Sequence, residues 1–200
     1  MPEWVESFTL TFVPLFIVID GLGMLPFVII LTEGMLHHQR HKTIHFSILT
    51  ALIVGLAFLF FGQFILNVMG ISVGSFAIAG GLILLILSMK YMLTGRMVDV
   101  IKEEMIAVVP IGTPLLSGPA TIVTLLLLVL QYPTYIVLIS FILNLVIAWI
   151  LFLLGNRIVK FMGQGGLRAV SSVFNLLLAA IAVSMIIQGL EMLGILTIAT

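Results

Sequence analysis

The chain has 200 residues, of which 62% are hydrophobic and 8% are charged. A soluble chain is about 25% charged, so this composition excludes a water-soluble globular domain and indicates an integral membrane protein. Cysteine is absent, which excludes disulfides and thiolate metal sites. The eight basic and eight acidic residues give a net charge of zero, so binding to nucleic acid is not expected.

Six apolar runs are each long enough to cross a bilayer, which takes about 20 residues in a helix. They are continuous rather than alternating, which favours helices over a barrel. The sequence therefore predicts an all-α integral membrane protein with six transmembrane helices, forming a single domain over residues 1–200. The predicted spans are 5–31, 46–67, 73–93, 105–130, 133–154 and 173–195.

The basic side chains all fall on one side of this six-span topology. They lie between the first and second, the third and fourth, and the fifth and sixth spans: Arg40, Lys42, Lys90, Arg96, Lys102, Arg157, Lys160 and Arg168. By the positive-inside rule these three loops face the cytoplasm and both termini lie outside. We therefore expect a multi-pass protein of the plasma (inner) membrane.

The two halves of the chain share a pattern. Residues 62–70 (GQFILNVMG) and 155–163 (GNRIVKFMG) match at four of nine positions, and each segment follows the second span of its half. The first span of each half is rich in proline. Because each half has three spans, the second must enter the membrane from the opposite side. The sequence thus predicts an inverted-topology repeat of 1–95 and 96–200, an architecture of secondary transporters.

The first span of each half is predicted to be interrupted near the middle of the membrane. Proline and glycine weaken a helix, and they concentrate in Asp20-Gly21-Leu22-Gly23 and in Ser117-Gly118-Pro119-Ala120. Amides freed at the start of a half-helix attract a carboxylate, and freed carbonyls attract a cation. Discontinuous helices at matching positions point to a transport site; the alternative is two proline kinks that serve only packing.

Asp20 is the only acidic residue near the centre of a predicted span. A charge there costs roughly 2.5–3.5 kcal/mol on insertion scales, so such a residue is a functional candidate by default. Asp20 could bind a substrate ammonium group, coordinate a cation or carry a proton; alternatively, a protonated Asp20 caps the following half-helix. The predicted substrate site comprises Asp20, Gly21, Leu22, Gly23, Thr113, Ser117, Gly118, Pro119 and Thr121, with Asp20 also predicted to couple transport to a proton or cation.

Four histidines, His37, His38, His41 and His45, cluster between the first two spans. Three of them would share a helix face, but no carboxylate completes a metal motif. An interfacial helix with a solvated face is expected there rather than a metal site. No sequence of the type G-x-x-x-x-G-K occurs, so the chain carries no nucleotide-binding motif of its own, and no cofactor is expected.

Three segments resemble the signatures of the MarC family of six-span membrane proteins. They are residues 70–81 (GISVGSFAIAGG), 110–119 (PIGTPLLSGP) and 161–167 (FMGQGGL). The resemblance covers nearly the whole chain, in order. It implies a six-span fold, a place in the lysine-exporter superfamily, and kinship with the SnatA branch, which is reported to move small neutral amino acids such as glycine and alanine.

The chain departs from the family pattern at positions that bear on the substrate. The family often has proline after the aspartate, where this chain has Gly21, asparagine where Met24 stands, and glycine where Ala120 stands. An arginine that is frequent at two matched positions of the repeat is replaced by Ala77 and Ser172. A symmetric pair of charges is therefore missing here.

The leading hypothesis is a secondary transporter of small neutral amino acids, proton- or cation-linked, that works by alternating access. The alternatives are an exporter of other small metabolites or drugs, a channel, and a non-transporting membrane subunit. An enzyme is not expected, because no serine–histidine pair or carboxylate dyad can form within the membrane. The expected partners are the small-molecule substrate and the lipid bilayer, and the sequence leaves open both a monomer and a homo-oligomer.

Overall fold

The computed structural model describes residues 3–25, 28–29, 32, 35–94, 116 and 118–196. This part of the chain is helical, with α1 at Glu3–Ile19, α2 at His37–Val68, α3 at Val73–Thr94, α4 at Pro119–Gln131 and α5 at Thr134–Met192. No strand occurs within these described ranges, which confirms the all-helical prediction. The predicted loop between the third and fourth spans, with Arg96 and Lys102, lies outside the described residues.

Within the described residues, three stretches are long and apolar enough to cross a bilayer: His37–Val68, Thr134–Gly163 and Ser172–Met192. Shorter apolar helices occupy Val73–Ile86 and Ala120–Gln131. Many large apolar side chains are exposed along these helices, as expected where the surroundings are lipid tails. On α2, for example, Phe60, Phe61 and Phe64 are each more than half exposed.

Helix α5 is too long for one crossing and is interrupted at Gly163. This residue has φ 69° and ψ 169°, a region that is essentially restricted to glycine. It divides α5 into a first arm (134–162) and a second arm (164–192). The segment between the predicted fifth and sixth spans is therefore helical on both sides of one residue, rather than an extended loop.

Helix α1 runs parallel to the first arm of α5. The hydroxyl groups of Thr11 and Ser140 are hydrogen-bonded at 2.8 Å. Further along both helices, a Cβ placed on Gly21 would lie 3.2 Å from the Cα of Ala148. Residue numbers increase along both partners from one contact to the next, so the two segments are parallel.

The second arm of α5 runs back against α1. The ring of Phe16 meets that of Phe174, near the start of this arm, with centroids 5.7 Å apart. Leu10, earlier in α1, shares the wall of a cavity with Gln188, near the end of the arm. The order of these contacts is reversed relative to the first arm, so the two arms of α5 are antiparallel to each other.

Helix α3 packs closely and antiparallel against the second arm. A Cβ on Gly74 would lie 2.9 Å from the carbonyl oxygen of Gly189, and one on Gly189 would lie 2.6 Å from that of Gly74. Gly81 makes a similar approach to the carbonyl oxygen of Ala182, at 2.7 Å. Small residues let helix backbones in a membrane come this close.

The buried apolar side chains form two clusters that hold α1 in place. The first gathers residues of α1, α2, α4 and the first arm, including Leu15, Ile19, Ala51, Leu125, Phe141 and Phe152. The second gathers residues of α1, α3, α4 and the second arm, including Val18, Ala77, Ala120, Val123 and Ala182. The end of α1 therefore lies between both clusters.

Candidate functional site

Helix α1 ends at Ile19, and Asp20 adopts a left-handed φ of 45°. Aspartate tolerates this conformation because its short side chain can bond to the local backbone. A turn follows over residues 21–24. The amide of Met24 donates to the Asp20 carbonyl at 3.0 Å, and the amide of Val28 donates to the Met24 carbonyl at 3.0 Å. The chain thus leaves the helix at the predicted interruption and resumes helical hydrogen bonding after it.

The Asp20 side chain points into the protein and is 2% exposed. Its Oδ1 accepts a hydrogen bond from the amide of Gly23 at 2.9 Å. Its Oδ2 is buried and has no hydrogen-bond partner among the described residues. A buried carboxylate oxygen without a donor or a cation is costly. The carboxyl group is therefore suited to take up a proton or to meet a cation.

The other three residues of the predicted motif shape the space around this carboxyl group. A Cβ on Gly23 would overlap the Asp20 carboxyl group, and a Cβ on Gly21 would press on Ala148 of the first arm. Leu22 packs against the first core cluster. The structure thus brings Asp20, Gly21, Leu22 and Gly23 into one turn, with space at Gly23 that the carboxyl group fills.

Helix α4 begins at the second predicted interruption. Gly118 is its N-cap, with φ −65° and ψ 174°, and Pro119 opens the helix. Proline suits this position, since it has no N–H that would need a partner and its φ is already helical. The amide of Ile122 donates to the Gly118 carbonyl at 3.2 Å, which closes the first turn.

Two of the predicted hydroxyl ligands, Thr113 and Ser117, lie outside the described residues. The third, Thr121, is buried in the first turn of α4. Its hydroxyl donates to the carbonyl of Leu116 at 2.9 Å, so its hydrogen is used within the chain while its oxygen can still accept. Gly118, Pro119 and Thr121 therefore belong together at one helix start.

The end of α1 and the start of α4 lie in the same buried core. Helix α4 has 13 residues and so spans about 20 Å, less than the hydrocarbon core of about 30 Å. Asp20 follows Glu6 by 14 positions, which is about 21 Å along a helix. Val18 and Ala120, each two residues from an interruption, belong to the same core cluster. The two helix ends are therefore at similar depth in one core.

These helix ends carry opposite partial charges. The C-terminal end of a helix is partially negative and the N-terminal end partially positive. The end of α1 adds the Asp20 carboxyl group to its own partial negative charge, whereas α4 presents its first amides. A cation or ammonium group is favoured beside α1, and an anionic group beside α4.

Asn144 makes a polar contact between the first arm and α1 that the sequence did not predict. The contact lies earlier along α1 than Asp20, in the direction of Glu3. Asn144 is 1% exposed, and its Nδ2 donates to the carbonyls of Phe12 at 3.2 Å and Ser140 at 2.9 Å. Its Oδ1 is buried with no hydrogen-bond partner among the described residues. The spacing of four between Ser140 and Asn144 in an apolar span is the signal that could have indicated a shared helix face.

The histidines form a stack at the start of α2. The rings of His37 and His41 have centroids 4.3 Å apart, and His45 Nδ1 accepts a hydrogen bond from Trp149 Nε1 at 2.9 Å. Partial burial, together with the nearby charges of His37 and His45, lowers the pKa of His41 below its usual 6.5. In the described part of the chain, no three histidine or carboxylate side chains gather as metal ligands.

Comparison with known proteins identifies the family. The model of the MarC family integral membrane proteins matches residues 5–194. A UPF0056 membrane protein of Pyrococcus abyssi is 30% identical over 197 residues, which cover 96% of this chain and 98% of that protein. A UPF0056 membrane protein of Methanocaldococcus jannaschii is 30% identical, covering 93% of this chain and 97% of that protein.

A bacterial relative, a UPF0056 membrane protein of Buchnera aphidicola, is 29% identical, with 88% of this chain and 92% of that protein covered. No solved structure gives a significant match. The family match spans nearly the whole chain, in agreement with the three signature segments and the apolar helices. The chain belongs to the MarC family of integral membrane proteins.

Proposed function

We propose that this protein is a secondary transporter of small neutral amino acids, driven by a proton or cation and working by alternating access. The observation that carries the proposal is the Asp20 carboxyl group. It is buried where helix α1 ends at the predicted interruption, with one oxygen unpartnered among the described residues. Ionisable groups at such places in a membrane mark substrate or ion pathways.

The opposed helix ends fit a zwitterion. The ammonium group of an amino acid would lie against Asp20 and the C-terminal end of α1, where negative charge accumulates. Its carboxylate would lie against the first amides of α4, beside Gly118 and Thr121. Gly21 and Gly23 leave little room beyond the carboxyl group itself, which favours small side chains.

The proposed topology is a six-span inverted repeat with the basic loops in the cytoplasm, and the contact directions between the helices agree with six alternating spans. In that topology the first and fifth spans are parallel, and the third and sixth are antiparallel. Contacts of α1 with the first arm and of α3 with the second arm run in these directions. Gly70 and Gly163, which occupy matching positions in the repeat, have φ of 67° and 69°. Similar turns at matched positions favour two halves that can exchange roles during transport.

The substrate class rests on the resemblance to the SnatA branch of the lysine-exporter superfamily. A second candidate, an exporter of less polar metabolites or drugs, is favoured by Met24. This side chain is 3% exposed, and its amide bonds to the Asp20 carbonyl, where the family often carries an asparagine. An apolar neighbour would suit a substrate with a larger apolar part.

Counterflow in proteoliposomes tests the proposal. Vesicles are preloaded in turn with each neutral amino acid, and the accumulation of labelled glycine or alanine from outside is measured. We expect preloaded small amino acids to drive accumulation, and large ones such as leucine to drive little. The same vesicles without protein and vesicles preloaded with buffer serve as controls.

The possible results separate the hypotheses. Accumulation driven by small neutral amino acids supports the leading proposal. Exchange only with apolar metabolites supports the second candidate. Flux without counterflow indicates a channel, and no flux from correctly folded protein indicates a non-transporting subunit.

A further inference from the structure

A cavity of about 200 Å³ lies between α1, α4 and the second arm of α5, apart from the Asp20 turn. Leu127, Leu128 and Met185, all buried, form part of its wall. None of the described residues of the proposed substrate site lines this cavity.

The mouth of the cavity is at the ends of two helices. Gln131 is the last residue of α4, and Gln188 lies one turn before α5 ends at Met192. Thr124, which also lines the cavity, precedes Gln131 by seven residues, about 10 Å along the helix. The cavity therefore extends from near one membrane face toward the interior, with Thr124 at its inner end.

This face is opposite the one that holds the histidine stack. The Arg40 guanidinium group donates to the carbonyl of Phe152 at 3.5 Å. Phe152 lies 18 residues beyond the start of α5 at Thr134, about 27 Å along the helix. The cavity mouth and the basic start of α2 are therefore separated by roughly the thickness of the hydrocarbon core.

The polar side chains that line the cavity among the described residues are uncharged: Thr124, Gln131, Tyr132, Ser184 and Gln188. Thr124 is 5% exposed, and its Oγ1 has no hydrogen-bond partner among the described residues. Buried polar groups are normally hydrogen-bonded, so this hydroxyl is suited to a ligand.

A backbone acceptor adds to this lining. Leu10 and Pro14 both line the cavity, and Pro14 has no N–H with which to pair the carbonyl of Leu10. A hydrogen-bond donor in the cavity could take that place. The wall thus combines apolar area with unpaired donors and acceptors, as small-molecule sites do.

We propose that this cavity is a ligand site for one small polar solute of zero net charge, with Thr124 as the hydrogen-bonding group at its inner end. Its volume exceeds the roughly 150 Å³ of a cavity that holds benzene, which is enough for a small amino acid. Among the residues that the structure describes, no charged side chain lines it, so a solute with net charge would lose hydration there without compensation. This inference deepens the proposed function, since a site of this kind near one membrane face would select neutral solutes before they reach Asp20.

Cysteine labelling tests the site directly, because the chain contains no cysteine. Ser184→Cys places a thiol in the cavity. Val183→Cys, the matched control, places one on the neighbouring residue, which is 45% exposed and does not line the cavity. Both are treated in proteoliposomes with neutral, cationic and anionic methanethiosulfonate reagents, and each rate is divided by that reagent's rate with a free thiol.

We expect Ser184→Cys to react about tenfold faster with the neutral reagent than with either charged one. Val183→Cys, exposed on the same membrane-spanning helix, shares that preference if it faces lipid, so protection by a ligand at Ser184→Cys and not at Val183→Cys is the distinguishing result. L-alanine is expected to protect Ser184→Cys. Adding Thr124→Val, which keeps the shape but removes the hydroxyl, should weaken this protection about fivefold. Thr134→Val, at the exposed start of α5, should leave it unchanged. If Ser184→Cys fails to fold, Gln188→Cys replaces it.

Equal corrected rates for the three reagents would overturn the proposal, and so would protection that survives Thr124→Val or no protection by L-alanine. These results are independent of transport. Protection without counterflow supports the ligand site and removes the transporter proposal. Counterflow without protection supports the transporter proposal and removes the ligand site.

Discussion

Replacing Gly23 by alanine tests how the Asp20 carboxyl group is held. The Gly23 amide donates to Asp20 Oδ1 at 2.9 Å, and a methyl group on Gly23 would overlap the carboxyl group itself. The aspartate would have to rotate away, which breaks this hydrogen bond and redirects Oδ2. We therefore expect both the free energy of unfolding and the transport rate to fall.

The expected loss of stability follows from these contacts. Overpacking a filled site costs about 1–3 kcal/mol, and a hydrogen bond to a charged group contributes about 1.5–3 kcal/mol. A single rotation of Asp20 would relieve the steric overlap and break the hydrogen bond, so the two free-energy costs are not fully additive. We expect a total of about 2–4 kcal/mol.

Unfolding of the purified protein in mixed micelles measures this loss. Asp20→Gly provides the decisive background, because it removes the carboxyl group and accepts the φ of 45° without strain. In that background Gly23→Ala should cost less than about 1 kcal/mol, since the three atoms nearest to the new methyl group all belong to the Asp20 carboxyl group and are then absent. Gly165→Ala, where a Cβ has no neighbour within 4 Å, is the control for adding a methyl group to a helix. An equal cost with and without the Asp20 carboxyl group would refute this reasoning.

Three further predictions concern packing and charge, and Gly165→Ala is the control for the two glycine variants. Gly163→Ala forces alanine into φ 69° and ψ 169° and should cost about 1–3 kcal/mol of unfolding free energy; stability equal to the control would contradict this. Gly189→Ala would place a methyl group 2.6 Å from the Gly74 carbonyl oxygen and should cost about 1–3 kcal/mol; a cost no larger than that of the control would contradict this close approach. The lowered pKa of His41 means that the unfolded chain binds this proton more readily. The stabilising contribution of neutral His41 should therefore be fully present above the unfolded pKa of about 6.5, and the melting temperature should fall as the pH drops below it. His41→Asn should reduce that fall, and an unchanged pH profile would show that His41 does not cause it.

The all-helical membrane architecture could be predicted because lipid offers the backbone no hydrogen-bond partners. Continuous apolar runs must satisfy their own hydrogen bonds, so each becomes a helix. The two interruptions could also be predicted, since proline and glycine act locally. The ends at Ile19 and Pro119 lie within a few residues of the places where these residue types concentrate.

The course of the chain around Gly163 was less predictable. Residues 155–172 carry basic and polar side chains and lie between the predicted fifth and sixth spans, so the sequence predicts a cytoplasmic loop there. In the structure a single glycine with positive φ divides two helices. Polarity marks where the chain leaves the lipid, but it does not indicate how many residues the reversal takes.

The candidate site was predicted in residue type but not in geometry. Asp20 is conspicuous as a lone acid in an apolar span, whereas its bond to Gly23 and its unpartnered Oδ2 depend on backbone angles that composition does not determine. Asn144 and the cavity beside Thr124 depend on which helices pack together. An apolar helix looks the same from every side in the sequence, so these contacts could not be assigned.

Counterflow by an Asp20→Asn protein tests the central claim most directly. Asparagine keeps the shape of the side chain but cannot carry the charge or the proton. Glu6→Gln is the matched control, because Glu6 is an exposed acid on the same helix. We expect Asp20→Asn to lower the initial rate of alanine counterflow about tenfold or more, with Glu6→Gln unchanged. Equal rates and equal pH dependence for the two variants would contradict a role for Asp20 in transport.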